Sequence, residues 1–217
     1  MKIWFFLLPL FSWASPLCLF TPPNGWQPVQ PKNLSECIQI GFIAKGSDGF
    51  HSSINLAIEE VDCSMKEYLK AVKEIHLSQA NTQWRDLGKI DMKAGTGRLT
   101  EVSCPSPFGQ ILMMQAILIK EKMAYILTAA VLKKDFLALQ KEILASLKSL
   151  DLTSDLWSFL QEPLKEKFLS LIHNPGDPES RWKSLQTLLS SETSSLGPYW
   201  QLLALKEGRE KIYSGPK

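Results

Sequence analysis

This chain of 217 residues has almost no excess of either charge. It contains 24 Lys and Arg and 22 Asp and Glu, which gives a formal net charge of +2. So small an excess gives no basic surface for nucleic acid or for an anionic membrane face, and neither is expected as a partner. The sequence also lacks the G-x-S-x-G nucleophile elbow, the H-E-x-x-H zinc motif and any C-x-x-C pair. We therefore predict no catalytic residue, no metal ligand and no cofactor, and a protein that is not an enzyme.

Histidine is scarce, and none of the three histidines is spaced for zinc binding. His51 shares a predicted hairpin with Glu59, Glu60 and Asp62, a group that could hold a metal ion. The favoured interpretation is a charged sheet edge that discourages aggregation. A hydrolase with an unrecognised site is the least favoured function, and substitution of His51, Glu59 and His76 would test it.

The longest apolar run stands at the N-terminus, where Lys2 precedes an apolar stretch over 3–11 and the small residues Ser12 and Ala14 follow. This pattern predicts a signal peptide over 1–14, cut after its last residue, and hence export. Two alternatives remain open. The apolar stretch continues to Phe20, so an uncleaved anchor up to residue 20 is conceivable, and Cys18 is a candidate for lipidation.

Four cysteines follow the predicted cut, and export permits disulfides. Cys18, Cys37, Cys63 and Cys104 allow three full sets of disulfide pairings, and their spacing does not select one of these sets. The predicted hairpin puts Cys37 opposite about Ile58, which leaves Cys63 about 17 Å further along its strand, too far for a disulfide. Buried free thiols are the favoured state.

The middle of the chain alternates between strand and helix patterns. Apolar residues recur at every second position in 52–61, and Ser64 with Glu67 forms a capping-box signature for a helix. The full set is strands over 37–44, 52–61, 83–92, 98–103, 110–119 and 123–132, with helices over 64–79 and 135–150. This order predicts an α+β fold, an antiparallel sheet with helices packed on it.

The pattern changes after Asp151, where no further strand is predicted. Three short amphipathic helices are expected in 153–217, the first over 156–172, with a charged tail from Glu207 that frays. The domains expected are therefore a sandwich over 20–152 and a helical appendage over 153–217. Four aromatic residues of the appendage favour core packing but are candidates for partner binding, namely Trp157, Trp182, Tyr199 and Trp200.

The order of features in residues 20–152 resembles the PsbP-like superfamily, including the DcrB-type exported bacterial proteins. The matching pieces are Pro23-Asn24-Gly25-Trp26, the hairpin Ile38–Val61, the helix start Ser64-Met65-Lys66-Glu67-Tyr68-Leu69, the strands Gln110–Ile119 and Met123–Ala130, and Ile143-Leu144-Ala145-Ser146-Leu147. The resemblance implies an α/β/α sandwich of non-catalytic character, found in exported accessory or assembly proteins. It carries over no binding residue, and 153–217 departs from it.

Export without a recognisable site favours an accessory or assembly protein of the bacterial cell envelope or periplasm. It would bind a protein partner through the sheet edge or the helical appendage, and would meet the membrane only through an uncut or lipidated N-terminus. The alternative function is binding of a small molecule or lipid between the sheet and the helix over 134–150. Met113, Met114 and Met123 would line that pocket.

Overall fold

A computed structural model describes residues 16–29, 38–44, 49–173 and 175–214, so the predicted cut after Ala14 and the thiol of Cys37 lie outside the described residues. The elements are β1 (Leu17–Leu19), β2 (Gln27–Pro28), β3 (Ile38–Ile43), β4 (Ser53–Glu60), α1 (Met65–Leu77), β5 (Gln83–Met92), β6 (Gly95–Ser106), β7 (Gly109–Lys120), β8 (Met123–Leu132), α2 (Phe136–Lys148), β9 (Asp151–Thr153), α3 (Leu164–His173), α4 (Pro178–Glu192) and α5 (Gly197–Ser214).

The main sheet has seven strands in the order β2-β3-β4-β8-β7-β6-β5, and every neighbouring pair is antiparallel. Strands β7 and β8 occupy the centre, as the apolar character of both their faces requires. The predicted α+β class and the six predicted strands of the sheet are confirmed. Sequence periodicity did not predict β1, β2 or β9, which have only two or three residues each.

Helix α1 covers one face of the sheet. It begins at the predicted capping box, in which the Ser64 hydroxyl accepts from the Glu67 N–H at 3.3 Å and the Glu67 carboxylate accepts from the Ser64 N–H at 2.8 Å. Tyr68 and Leu69 point down from the helix, and they form a small core with the sheet residues Ile117, Ala124 and Ile126. We call this the α1 face.

The opposite face of the sheet is covered jointly by α2 and by the C-terminal helices. Ile143 of α2 is fully buried there. Tyr199 at the start of α5 places its ring 5.1 Å from that of Phe20 and 6.2 Å from that of Phe42 on β3, measured between centroids. One continuous core therefore includes residues from both sides of the expected boundary at 152/153, and that boundary cuts through β9.

Two expectations for the C-terminal region are wrong. The helix predicted over 156–172 is split into a short 3₁₀ turn at Leu156–Phe159 and α3, because Pro163 interrupts the pattern. The tail expected to fray after Glu207 continues α5 as far as Ser214, since Ile212 is buried and extends the apolar stripe.

The short strand β1 lies inside the fold, paired antiparallel with β9 so that Cys18 stands opposite Leu152. The Cys18 side chain is 4 % exposed, and burial, with a smaller contribution from the negative charge of Asp151, raises the pKa of its thiol to about 12. Lipidation at Cys18 stays a prediction that would require β1 to leave its partner strand. Within the described ranges no helix is long and apolar enough to cross a membrane.

The three described cysteines differ in exposure. Cys18, Cys63 and Cys104 are free thiols, but Cys63 is exposed and Cys104 only half-buried. The expectation of a buried thiol is therefore wrong for Cys63, which lies in the link between β4 and α1 rather than on a strand.

Candidate functional sites

A groove of about 590 Å³ runs between α3 and α4. Its walls carry hydroxyl side chains, Ser170 on α3 and Ser180, Ser184, Thr187 and Ser191 on α4. The four on α4 lie three or four residues apart, which puts them on one face of the helix. We call this surface the hydroxyl groove.

The two helices that form the hydroxyl groove are fixed by polar contacts at their shared end. Asp177 caps α4 by accepting from the Ser180 N–H at 2.8 Å, with Pro178 in the first turn, as the sequence predicts. Arg181 of α4 donates to the carbonyl oxygens of Leu171, at 2.8 Å, and of Ile172 at the end of α3. These bonds satisfy terminal carbonyls of α3 and hold it against α4.

The charge of the hydroxyl groove is positive. Lys167 and Lys183 are the charged residues among those that line it, and neither forms an ion pair with another described residue. Leu171 and Leu188 are half-buried and supply apolar surface between the hydroxyl groups. The groove therefore offers apolar contact, hydroxyl groups and two cations, which suits an acidic ligand.

A second, smaller cavity of about 210 Å³ lies between α1 and the sheet. Gln115 and Thr128 line it, and the register of the sheet places them in one polar row with the buried Thr100. The Thr100 hydroxyl donates to Gln115 Oε1 at 3.2 Å, and Gln115 Nε2 donates to the Thr128 hydroxyl at 3.5 Å. Val72 and Ile75 of α1 are among the apolar walls. We call this space the α1 cavity.

Three titratable side chains also line the α1 cavity, namely Glu59, Tyr68 and His76. Burial raises the pKa of Tyr68, and the negative charge of Glu59, together with the hydrogen bond from the Tyr68 hydroxyl to it, raises it further. Burial lowers the pKa of His76, and a hydrogen bond with the Gln115 side chain partly opposes this. His76 Nδ1 is buried and has no hydrogen-bond partner among the described residues.

The structure separates the acidic and histidine residues of the β3–β4 hairpin. His51 precedes β4, where its Nδ1 lies 3.2 Å from the Ala44 carbonyl oxygen, whereas Glu59 lies near the far end of that strand. Asp62 forms an ion pair with Lys122 at 2.9 Å, and Glu60 points to the other face of the sheet from Glu59. No group of three such ligands among the described residues could hold a metal ion.

Sequence reasoning did not place Glu59 and His76 in one site, although both had been singled out. One signal could have done so. Gln115 is the one polar side chain within the apolar run 111–119, and a buried amide in a central strand requires polar neighbours.

The aromatic residues predicted as partner contacts lie mainly in the core. Trp157, Tyr199 and Trp200 are 3 %, 5 % and 3 % exposed. Trp157 Nε1 donates to Glu207 Oε1 at 2.8 Å, and Trp200 Nε1 donates to the Leu156 carbonyl oxygen at 3.1 Å. Among the four candidates Trp182 alone is half-buried and reachable by a partner.

The pocket lined by three methionines is not formed as expected. Met114 and Met123 belong to the core beneath α2, whereas Met113 points to the α1 face, because successive side chains of a strand point to opposite sides. The cavity described here lies under the other helix.

The pKa of His76 leads to a test of the α1 cavity. Because burial lowers this pKa below its ordinary value of 6.5, the unfolded chain takes up the proton at a higher pH than the folded protein does. The contribution of neutral His76 to stability is complete above pH 6.5, and is lost as the pH falls through the lowered pKa. The free energy of unfolding, measured with urea at pH 7.5 and pH 5.5, should decrease less in His76→Gln than in the wild type. Equal decreases would contradict a buried neutral His76.

Comparison with known proteins gives distant structural likeness only. No family model matches the chain, and no curated protein does. LpqN of Mycobacterium tuberculosis, described as involved in cell envelope biogenesis, is 12 % identical with a TM-score of 0.49, over 64 % of this chain and 84 % of LpqN. Cyanobacterial PsbP (CyanoP) from Synechocystis sp. PCC 6803 is 13 % identical with a TM-score of 0.44, over 67 % and 96 %.

A third likeness is to the Ran-binding protein Mog1p of Saccharomyces cerevisiae, 13 % identical with a TM-score of 0.40, over 58 % of this chain and 78 % of Mog1p. At these identities and scores the likeness transfers no residue, partner or activity to this chain. The resemblance to DcrB-type proteins stays a prediction.

Proposed function

We propose that this chain is a non-catalytic accessory protein of the bacterial envelope, exported by its N-terminal segment, and that it binds an acidic segment of a protein partner in the hydroxyl groove. The observation that carries this proposal is the charge of the groove, where Lys167 and Lys183 face solvent with no carboxylate among the lining residues. Complementary charge of this kind selects a partner and speeds its association.

The small side chains of α4 support a peptide or helix as the occupant. Serine and threonine leave room for the backbone of a partner to approach the helix closely. Thr187 donates its hydroxyl proton to the Lys183 carbonyl oxygen at 3.0 Å, and Ser170 donates to that of Lys167 at 2.9 Å. Each of these hydroxyl oxygens keeps acceptor capacity for N–H groups of a partner.

The outer sheet edge is a less suitable docking surface than the groove. Strand β5 forms this edge and contains a bulge between Asp86 and Gly88. Arg85 and Arg98 form ion pairs with Glu101, at 2.6 Å, and with Asp86. Bulges and charged residues are the features by which proteins prevent another strand from pairing with an edge.

A photocrosslinking experiment tests the proposal. A photoreactive amino acid at Ser184, in the groove, should form a covalent adduct with a protein in the native cell. The same amino acid at Ala138, exposed on α2, is the control and should form none. The double variant Lys167→Glu with Lys183→Glu should reduce the adduct about tenfold, since two reversed charges weaken binding by about 1.4 kcal/mol or more.

The matched control for the charge change is the double variant Lys141→Glu with Lys148→Glu, which alters two exposed lysines of α2. It should leave the adduct at Ser184 unchanged. An adduct that forms equally at Ala138, or that survives reversal of the groove lysines, would show that the groove does not hold the partner.

A further inference from the structure

Exposed apolar side chains lie together at one end of the main sheet. The register places Ser103, Leu112 and Val131 in one row across β6, β7 and β8, level with the start of β4. The described residues beyond this row share one end of the sheet, which we call the Phe108 end and which comprises 49–52, 106–110 and 132–137. It contains two of the three most exposed large apolar side chains in the described ranges, Leu137 at 83 % and Phe108 at 50 %.

Phe108 is held at the tip of a tight turn. Ser106 at the end of β6 pairs with Gly109 at the start of β7, so only Pro107 and Phe108 form the turn. The Ser106 hydroxyl donates to the Gly109 carbonyl oxygen at 2.7 Å and accepts from the Phe108 N–H at 3.2 Å. The ring of Phe108 lies 6.1 Å from that of Phe50, measured between centroids. Two loops of the sheet therefore present two aromatic rings side by side.

Leu137 and two lysines extend this apolar surface. Leu137 lies in the first turn of α2, and the side chains of a helix lean toward its N-terminus, which for α2 is the Phe108 end. Lys133 and Lys134 precede the helix and are exposed. The Lys133 N–H donates to the Gln110 carbonyl oxygen at 2.8 Å, which fixes this segment beside the Phe108 turn. Asp135 is the one carboxylate among the described residues of the Phe108 end, so positive charge is in excess there.

We propose that the Phe108 end binds a lipid surface that contains anionic headgroups. A ring at the tip of a turn inserts among lipid headgroups without a matching pocket, whereas a protein partner would have to supply one. Aromatic rings favour the boundary between headgroups and acyl chains, and anionic headgroups attract lysines close to the surface. The net charge of +2 describes the whole chain, and the local excess of lysine at this end does not depend on it.

The lipid-binding surface is separate from the proposed partner site. The Phe108 end shares no residue with the hydroxyl groove. The proposal therefore goes beyond partner binding, and each of the two stands or falls by its own experiment.

Flotation with lipid vesicles tests the proposal. The chain that begins at Ser15 is suitable, because it keeps every described element and lacks the apolar stretch over 3–11, which would insert by itself. It should bind vesicles of equal parts phosphatidylcholine and phosphatidylglycerol. Phe108→Ser should weaken this binding about tenfold, because the ring no longer buries apolar area in the lipid. Leu87→Ser is the control and should leave binding unchanged, since Leu87 is 42 % exposed but lies within β5, away from the Phe108 end.

Both serine variants should keep the thermal midpoint of the starting chain, which shows that the fold is intact. Failure of the starting chain to bind, or equal losses in Phe108→Ser and Leu87→Ser, would overturn the proposal. A dimer in lipid-free solution that Phe108→Ser converts to a monomer would also overturn it, because the Phe108 end would then contact a second copy of the chain.

A charge substitution tests the preference for anionic headgroups. Lys133→Gln should weaken binding to the mixed vesicles about fivefold, and should leave the weaker binding to vesicles of phosphatidylcholine alone unchanged. Lys148→Gln is the matched control, since it removes the same charge from the last turn of α2, beside the turn between β5 and β6 at the opposite end of the sheet. An equal loss in Lys133→Gln and Lys148→Gln would show attraction to the charge of the whole chain, and would overturn the assignment to the Phe108 end.

Discussion

A chain that ends at Leu152 should lose the native structure of its sandwich along with its C-terminal helices. Truncation removes Tyr199 from its contact with Phe20 and Phe42, and Phe42 is 0 % exposed in the complete fold. It also removes the pairing of Thr153 with Leu17. Each large apolar side chain that becomes exposed costs about 1.5–3 kcal/mol, and a domain is stable by only about 5–15 kcal/mol.

Circular dichroism and thermal unfolding would measure this loss, with a chain that ends at Ser214 as the control. The shorter chain should show no cooperative transition, or one at a much lower temperature. Tyr199→Ala in the complete chain removes only this aromatic ring. It should lower the free energy of unfolding by about 3–5 kcal/mol, as the truncation of large aromatic residues in protein cores does. An unchanged midpoint for the chain ending at Leu152 would instead show that the sandwich is stable without 153–217.

Gly97→Ala should be far more damaging than the same exchange at Gly95 of the same strand. An added Cβ would lie 2.3 Å from the Ile117 carbonyl oxygen and 2.5 Å from Met92 Cε. The nearer atom belongs to the backbone of β7, so the strand itself would have to move. We expect a loss of about 3 kcal/mol or more in the free energy of unfolding, measured with urea. Combining it with Met92→Ala should not restore stability, because the carbonyl clash remains.

Gly95→Ala separates the steric cause from a conformational one. Gly95 has a φ of +133°, which strains any other residue, but a Cβ there would meet nothing within 4 Å. Its cost should be about 1–2 kcal/mol, from backbone strain alone. If Gly97→Ala were as stable as Gly95→Ala, the close approach of β6 to β7 would not be the cause.

The elements that could be predicted from the sequence are those whose period repeats several times. The alternation in 52–61 and the Ser64–Glu67 capping box placed β4 and α1 within two residues of their ends. By contrast, β1 and β9 have three residues each, too few for a period to show, and they pair across more than half of the chain. Their pairing depends on where the finished core leaves an edge, which no local pattern encodes.

The candidate sites were harder to predict because both depend on distant residues meeting. Thr100, Gln115 and Thr128 come together only through the register of β6, β7 and β8. In the sequence they read as single polar interruptions of apolar strands. The hydroxyl groove could have been predicted more easily than the α1 cavity, because the spacing of its α4 residues is visible in the sequence. What sequence could not supply was the position of α3, which the Arg181 contacts determine.

The position of β1 has a consequence for the predicted cut after Ala14. The predicted cut after Ala14 leaves only Ser15 and Pro16 before β1 begins at Leu17, a reach of about 7 Å when fully extended. A peptidase binds its substrate as an extended segment. A linker of two residues is too short for that while β1 is paired with β9. Since the partner of β1 is made only when synthesis reaches Asp151–Thr153, a cut at the predicted position would have to precede the docking of β9 against β1.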